Sequence, residues 1–232
     1  MIPSWGYNGS ARRYWDFIYG GKTQRLERQL HHYGSGLNAI PLLAEYRAHP
    51  TDLYLLRAGY GGVMGPLTNI DEKGFASAAF HSFPDRMAFD GYTGDYGPNF
   101  VGHALNTATY LTHDDQLGWL CFGGNVNDNH GTVTFTTLDS FRNRVFLAPL
   151  GLWLTLDAGH FSSVDYDAKR KTIRLHLAPQ SDGVTTARLR IEQTANPTGA
   201  AHYQAPASWK TYAGAYVLPL QTTETVAELQ AK

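Results

Sequence analysis

The sequence predicts an α+β chain, with αα-hairpins over residues 1–116 and an antiparallel β-sandwich over residues 117–232. Two observations carry this. Through the first half, apolar residues recur at helical spacing, as in Leu26, Leu30 and Tyr33. From Leu117 onward, short alternating runs rich in β-branched residues take their place.

Taken in order, Gly9 to Tyr19 supports one or two helical turns. Thr23 can cap a helix running to Tyr33, which Gly34-Ser35-Gly36 stops. Leu37 to Arg47 resumes the pattern, with Leu37, Ile40, Leu43 and Ala44 on one stripe and Pro41 placed in the first turn, where a missing N–H costs nothing. His49-Pro50-Thr51-Asp52 is a turn that ends in an N-cap, and Leu53, Leu56 and Tyr60 follow in register. Two helices so joined form an αα-hairpin, which needs neighbours to bury both faces. Gly61 to Pro98, dense in Gly, Asp, Phe and Ser, predicts a long loop with short helical pieces. Asn99 to Leu111 predicts one more helix. Strands are expected at Thr132–Thr136, Arg144–Leu147, Leu152–Leu156, Thr172–Leu177 and Ala187–Ile191, with Asp165 to Lys171 as a polar hairpin connection. The domain boundary falls near Leu117 to Gly131, and Val226 to Lys232 reads as a frayed helical end.

Nineteen Lys and Arg against twenty Asp and Glu give a formal net charge of −1, so no global field draws the chain to nucleic acid or an anionic membrane, and a neutral partner is expected. The lone Cys121 excludes an internal disulfide and, in the apolar run Leu117 to Phe122, predicts a buried inert thiol. The sequence as given predicts neither a signal peptide nor a membrane span, lacking any run of about 18 apolar residues. Localisation stays open, with secretion following only if a longer protein carries a signal upstream. A Gly-x-Ser-x-Gly elbow, a P-loop, a dinucleotide fingerprint and a Cys-x-x-Cys pair are all missing, which removes the common serine-hydrolase, nucleotide and zinc-ribbon readings, and no cofactor is expected.

Three strings, Trp5-Gly6-Tyr7-Asn8-Gly9-Ser10-Ala11-Arg12-Arg13-Tyr14-Trp15, His31-His32-Tyr33-Gly34-Ser35-Gly36-Leu37-Asn38 and Gly94-Asp95-Tyr96-Gly97-Pro98-Asn99-Phe100, resemble an uncharacterised family of six-hairpin glycosidase-like proteins. Phe141 to Gly159 resembles that family's β-domain. The resemblance implies an (α/α) toroid whose loops form a sugar cleft, followed by a β-sandwich. Too few helices are predicted to close a ring, so the chain resembles the last part of such a protein, a partial toroid whose Met1 is expected to be an internal start or the start of a truncated gene.

Glycoside hydrolysis needs two carboxyl groups flanking the bond, one protonated and one ionised. Asp71 and Glu72 lie between Gly-rich turns, and Asp95 sits beside Tyr96, whose ring could desolvate it and raise its pKa. These three are the catalytic candidates, and each also fits an ordinary turn or cap residue. Tyr33, His32, His81, Tyr92, Tyr96, Asn99 and His103 are the candidates for holding sugar, with packing between hairpins as the other reading. Asp71, Glu72 and Asp95 are expected to line one concave surface with Tyr92, Tyr96 and His81. Adjacent helical residues point about 100° apart, so His31 and His32 cannot share one ion without a loop partner, and no metal is expected. The resulting expectation is a carbohydrate-active protein, a glycoside hydrolase fragment acting on an oligo- or polysaccharide, with no nucleic-acid or membrane partner. Two alternatives stay open: a polysaccharide lyase using Tyr33, His32, Asn38 and Arg25, and a non-catalytic carbohydrate-binding or structural module.

Overall fold

A computed structural model of the 232-residue chain describes residues 30–31, 35–64, 79–81, 88–89, 107–194 and 202–231, with side chains over 39–64, 107–194 and 202–231. The chain divides into two compact units, Met1–Tyr46 with Thr51–Leu105, and Arg47–Pro50 with Asn106–Lys232.

In the first unit, strands β1 (Leu30–His31), β2 (Ala79–His81) and β3 (Ala88–Phe89) form an antiparallel sheet in that order. Helices α1 (Ser35–Ala48) and α2 (Leu53–Met64) lie between β1 and β2 in the chain. Asp52 caps α2, its Oδ1 accepting the backbone N–H of Tyr54 at 3.0 Å, a donor that the helix itself cannot satisfy, and at 3.4 Å that of Leu55, which also donates to the Asp52 carbonyl at 3.0 Å. α1 buries Ala39, Leu43 and Tyr46, spaced i, i+4 and i+7. On α2, Gly59 faces them so closely that a Cβ there would lie 2.9 Å from the Leu43 side chain.

The second unit is built from β4 (Thr109–Asp114), β5 (Gly118–Phe122), β6 (Gly124–Asn129), β7 (Thr132–Thr137), β8 (Arg144–Leu147), β9 (Leu152–Leu156), β10 (His160–Asp167), β11 (Thr172–Ala178), β12 (Thr186–Gln193), β13 (Tyr203–Gln204), β14 (Thr211–Tyr212), β15 (Ala215–Pro219) and β16 (Thr225–Ala231). A seven-stranded sheet runs β14-β15-β12-β9-β8-β4-β5, and a six-stranded sheet runs β13-β16-β11-β10-β7-β6. Among the described residues, every strand pairing in these two sheets is antiparallel except β4 with β8. Strand alternation makes the core. Leu152, Leu154 and Leu156 of β9 and Leu189 of β12 meet Phe161, Val164, Ile173 and Leu175 of the other sheet in one buried cluster, while Trp153 and Thr155 turn the opposite way. Each fully buried side chain of this kind contributes about 1.5–3 kcal/mol. Between β8 and β9 the chain reverses through a 3-10 turn, Ala148–Leu150, closed by Gly151 at φ 58°. A Cβ at Gly151 would be strained by that φ and would also meet Thr194 Oγ1 at 2.7 Å.

The expected toroid of αα-hairpins is overturned, and with it the resemblance to six-hairpin glycosidase-like proteins: the described residues are mainly strand, with two α-helices. The individual departures have physical causes. Leu30–His31 is a strand where a helix is expected from the sequence, because its backbone pairs with Phe80 and His81. The loop expected over Gly61 to Pro98 yields its start to α2 and holds β2 and β3. Thr109–Leu111, expected to end a helix, pairs with Val145–Leu147. The tail is a strand because Ala227 and Leu229 alternate inward and pair with Leu175 and Ile173, which outweighs the helix preference of Ala, Glu, Leu and Gln. Helix α1 begins at Ser35, so Pro41 lies inside it, and its buried stripe is rotated to leave Ile40 48% exposed.

Candidate functional site

Of the residues singled out for chemistry, Asp71, Glu72, Asp95, Tyr33, His32, Tyr92, Tyr96, Asn99, His103 and Arg25 lie outside the described residues. His81 closes β2 and Asn38 lies in α1, each described by its backbone alone.

Among the described residues, a groove of about 410 Å³ opens on the outer face of the seven-stranded sheet. Its floor follows from strand alternation: inward leucines on β9 leave Trp153 and Thr155 outward, and inward Ala187 and Leu189 on β12 leave Arg188, Arg190 and Glu192 outward. Register then sets neighbours. Thr155 stands between Arg144 of β8 and Arg190 of β12, and Trp153 stands between Phe146 and Glu192. Tyr212, 65% exposed on β14, lines the groove together with Ala213 and Ala215.

The cations differ in what occupies them. Asp157 accepts the Arg188 backbone N–H at 2.6 Å and also the Arg188 Nε–H, and the same guanidinium lies 5.7 Å from the Tyr212 ring centroid. Burial works against the Asp157 carboxylate, but the bonds from Arg188 and its charge outweigh that and hold the carboxyl below its ordinary range. Asp157 is therefore ionised near neutrality and unsuited to donating a proton. Arg144 and Arg190 are exposed and have no ion-pair partner among the described residues.

Trp153 is held in place by its neighbours. The Arg47 guanidinium lies 4.8 Å from its ring centroid and donates through Nη1 to Tyr110 Oη at 3.0 Å, and the rings of Tyr110 and Phe146 sit at 6.2 and 6.1 Å. Burial raises the Tyr110 phenol above its ordinary pKa, so it remains a neutral partner for Arg47. A wall fixed in this way loses little freedom when a ligand contacts it.

The outer face of the six-stranded sheet carries a second polar cluster. His176 of β11 places Nδ1 3.0 Å from Glu224 Oε2 and Nε2 3.0 Å from Asp165 Oδ2. Thr134 donates to Asp165 Oδ1 at 2.6 Å, Ser162 donates to Glu224 Oε1 at 3.3 Å, and Arg174 Nε donates to Glu228 at 2.9 Å. These groups satisfy one another. Cys121 is half-buried, and burial pushes its thiol up to about 12, as an inert thiol requires.

Carboxylates near one another in loops are the signal that the sequence offers for a site, and the groove gives no such signal. Arg188 and Arg190 sit close together on one strand and are legible as a pair of cations, but Arg144 joins Arg190 only through β9. Residues 1–228 match a family of unknown function (DUF5695), and the chain belongs to that family. No curated protein and no solved structure matches it.

Proposed function

We propose that this member of a family of unknown function binds carbohydrate in the groove on the outer face of the seven-stranded sheet. The observation that carries the reading is the combination, in one groove, of two aromatic side chains, Trp153 and Tyr212, with the hydroxyl, guanidinium and carboxylate groups of Thr155, Arg190 and Glu192. Pyranose rings present apolar C–H faces that pack on aromatic rings, and pairs of hydroxyls that planar polar side chains bind through two hydrogen bonds. Fixing Trp153 through Arg47 favours binding.

The groove supports binding more than bond cleavage, because Asp157 is engaged by Arg188 and is ionised. Hydrolysis through Asp71, Glu72 and Asp95 draws no support from the groove. Amide variants of those three, assayed for release of reducing sugar, test it separately.

Titrating the full chain with neutral and acidic oligosaccharides, followed by calorimetry and tryptophan fluorescence, tests the binding reading. Tyr212→Ala should weaken binding about tenfold, as loss of an aromatic contact does, while leaving the unfolding temperature unchanged because the ring is exposed. Full affinity in Tyr212→Ala, or no saturable binding to any oligosaccharide, would contradict the reading.

A further inference from the structure

We propose that the carbohydrate is an acidic one, with an anionic substituent held between Arg144 and Arg190 above the hydroxyl of Thr155; this rests on the carbohydrate reading of the groove. The register supplies the geometry. Arg144 and Arg190 are both direct cross-strand neighbours of Thr155, one from each side, so all three project from the same face. Neighbouring strands are about 4.8 Å apart, which places the two arginine Cα atoms about 10 Å from each other, within reach for two long side chains to converge on one group. A guanidinium presents a planar fork of donors that fits a carboxylate or a sulfate through paired bonds.

Charge balance points the same way. Arg188 is neutralised by Asp157, and Arg47 is bound to Tyr110 and Trp153. Two like charges flanking one threonine, exposed and with no ion-pair partner among the described residues, repel each other across β9 until an anion sits between them. The polar face of the six-stranded sheet shows the opposite practice, with Arg174 paired to Glu228. A nucleic acid would need a continuous basic track for successive phosphates. Here Glu192 and Asp157 interrupt the arginines, a pattern suited to a chain whose charges are spaced by neutral hydroxyl-bearing rings.

The test compares four kinds of probe on the full chain by calorimetry: hexauronates of galacturonate and mannuronate, the same chains with their carboxyl groups reduced to alcohols, a sulfated galactan hexamer, and hexathymidylate. An acidic hexamer should bind at least tenfold more tightly than its reduced counterpart, and preference between uronate and sulfated hexamers identifies the anionic group. Arg144→Gln and Arg190→Gln should each lose about tenfold on the acidic probe and much less on its reduced counterpart, with circular dichroism confirming the fold. Affinity for the acidic hexamer should fall with added salt, as an exposed charge contact does, and affinity for the reduced one should not. Equal affinity for acidic and reduced hexamers overturns the inference and leaves the carbohydrate reading standing. Binding to no hexasaccharide overturns both, and so does tightest binding to hexathymidylate.

Discussion

The two outer faces of the sandwich use the same strand alternation and the same kinds of polar residue to opposite ends. On the six-stranded sheet one row runs Asn127, Thr134, Asp165, Arg174, Glu228 in register across five strands, and its charges close on one another or on His176. On the seven-stranded sheet the corresponding outward row holds Arg144, Thr155 and Arg190, and its two cations form no ion pair among the described residues. A surface whose donors already have acceptors gains little from a ligand, since each new bond replaces an old one. The groove leaves two of its cations open and places aromatic walls beside them, which is what recognition requires.

The largest effect should come from the core that the two faces share. Phe161 is fully buried between the sheets, and Phe161→Ala should cost about 3–5 kcal/mol of unfolding free energy. Both faces should be lost together in one denaturant transition. Separate transitions, read by tryptophan fluorescence and by the His176 ring protons, would show that the faces belong to independent units and break the comparison.

Next comes the clamp on the closed face. Burial disfavours the His176 cation, but hydrogen bonds to Glu224 and Asp165 and their charges outweigh it and raise the pKa above the ordinary 6.5. A pKa raised by folding contributes stability that is fully present below pH 6.5 and is lost as pH rises through the folded value. Glu224 is lowered chiefly by its hydrogen bond from His176, so its contribution is present above its ordinary 4.5 and is lost as pH falls through the folded value. Stability should therefore decline on both sides of mildly acidic pH. His176→Gln should lower it by about 1 kcal/mol at pH 6 and flatten the alkaline limb, without changing glycan affinity. Denaturant titrations at several pH values check this, and an unchanged alkaline limb would remove His176 as its source.

The smallest effect sharpens the comparison most. Arg174→Gln breaks an exposed ion pair with Glu228 and should lower the unfolding temperature slightly, whereas Arg190→Gln removes a cation that has no such partner among the described residues and should leave the unfolding temperature level or raise it. The two variants should differ in sign or in size when compared by differential scanning calorimetry at low salt. Equal losses would mean that Arg190 is held by the protein as firmly as Arg174 is.

How legible this was in the sequence depends on how local the cause is. Arg144–Leu147 and Leu152–Leu156 could be read directly, because a short apolar run in the first and period-two alternation in the second are written in neighbouring residues, and the structure has strands with those bounds. β16 could not, since Thr225–Ala231 is composed largely of residues that favour helix and becomes a strand only by pairing with β11, some fifty positions earlier. The same reason explains β4, whose parallel partner β8 lies beyond three intervening strands. The groove was hidden more deeply: Arg144 and Arg190 belong to no motif and meet only because β9 stands between β8 and β12. A net charge of −1 is a sum over the chain and does not show where cations gather on one face.

The most direct test of the contrast between the faces is nuclear magnetic resonance mapping of the full chain during titration with an acidic hexasaccharide. The indole N–H of Trp153 and the Nε–H groups of Arg144 and Arg190 should shift progressively and saturate together, while Arg174 and the ring protons of His176 stay in place. Saturable shifts at His176 and Arg174 with Trp153 unmoved would place recognition on the closed face and contradict the account.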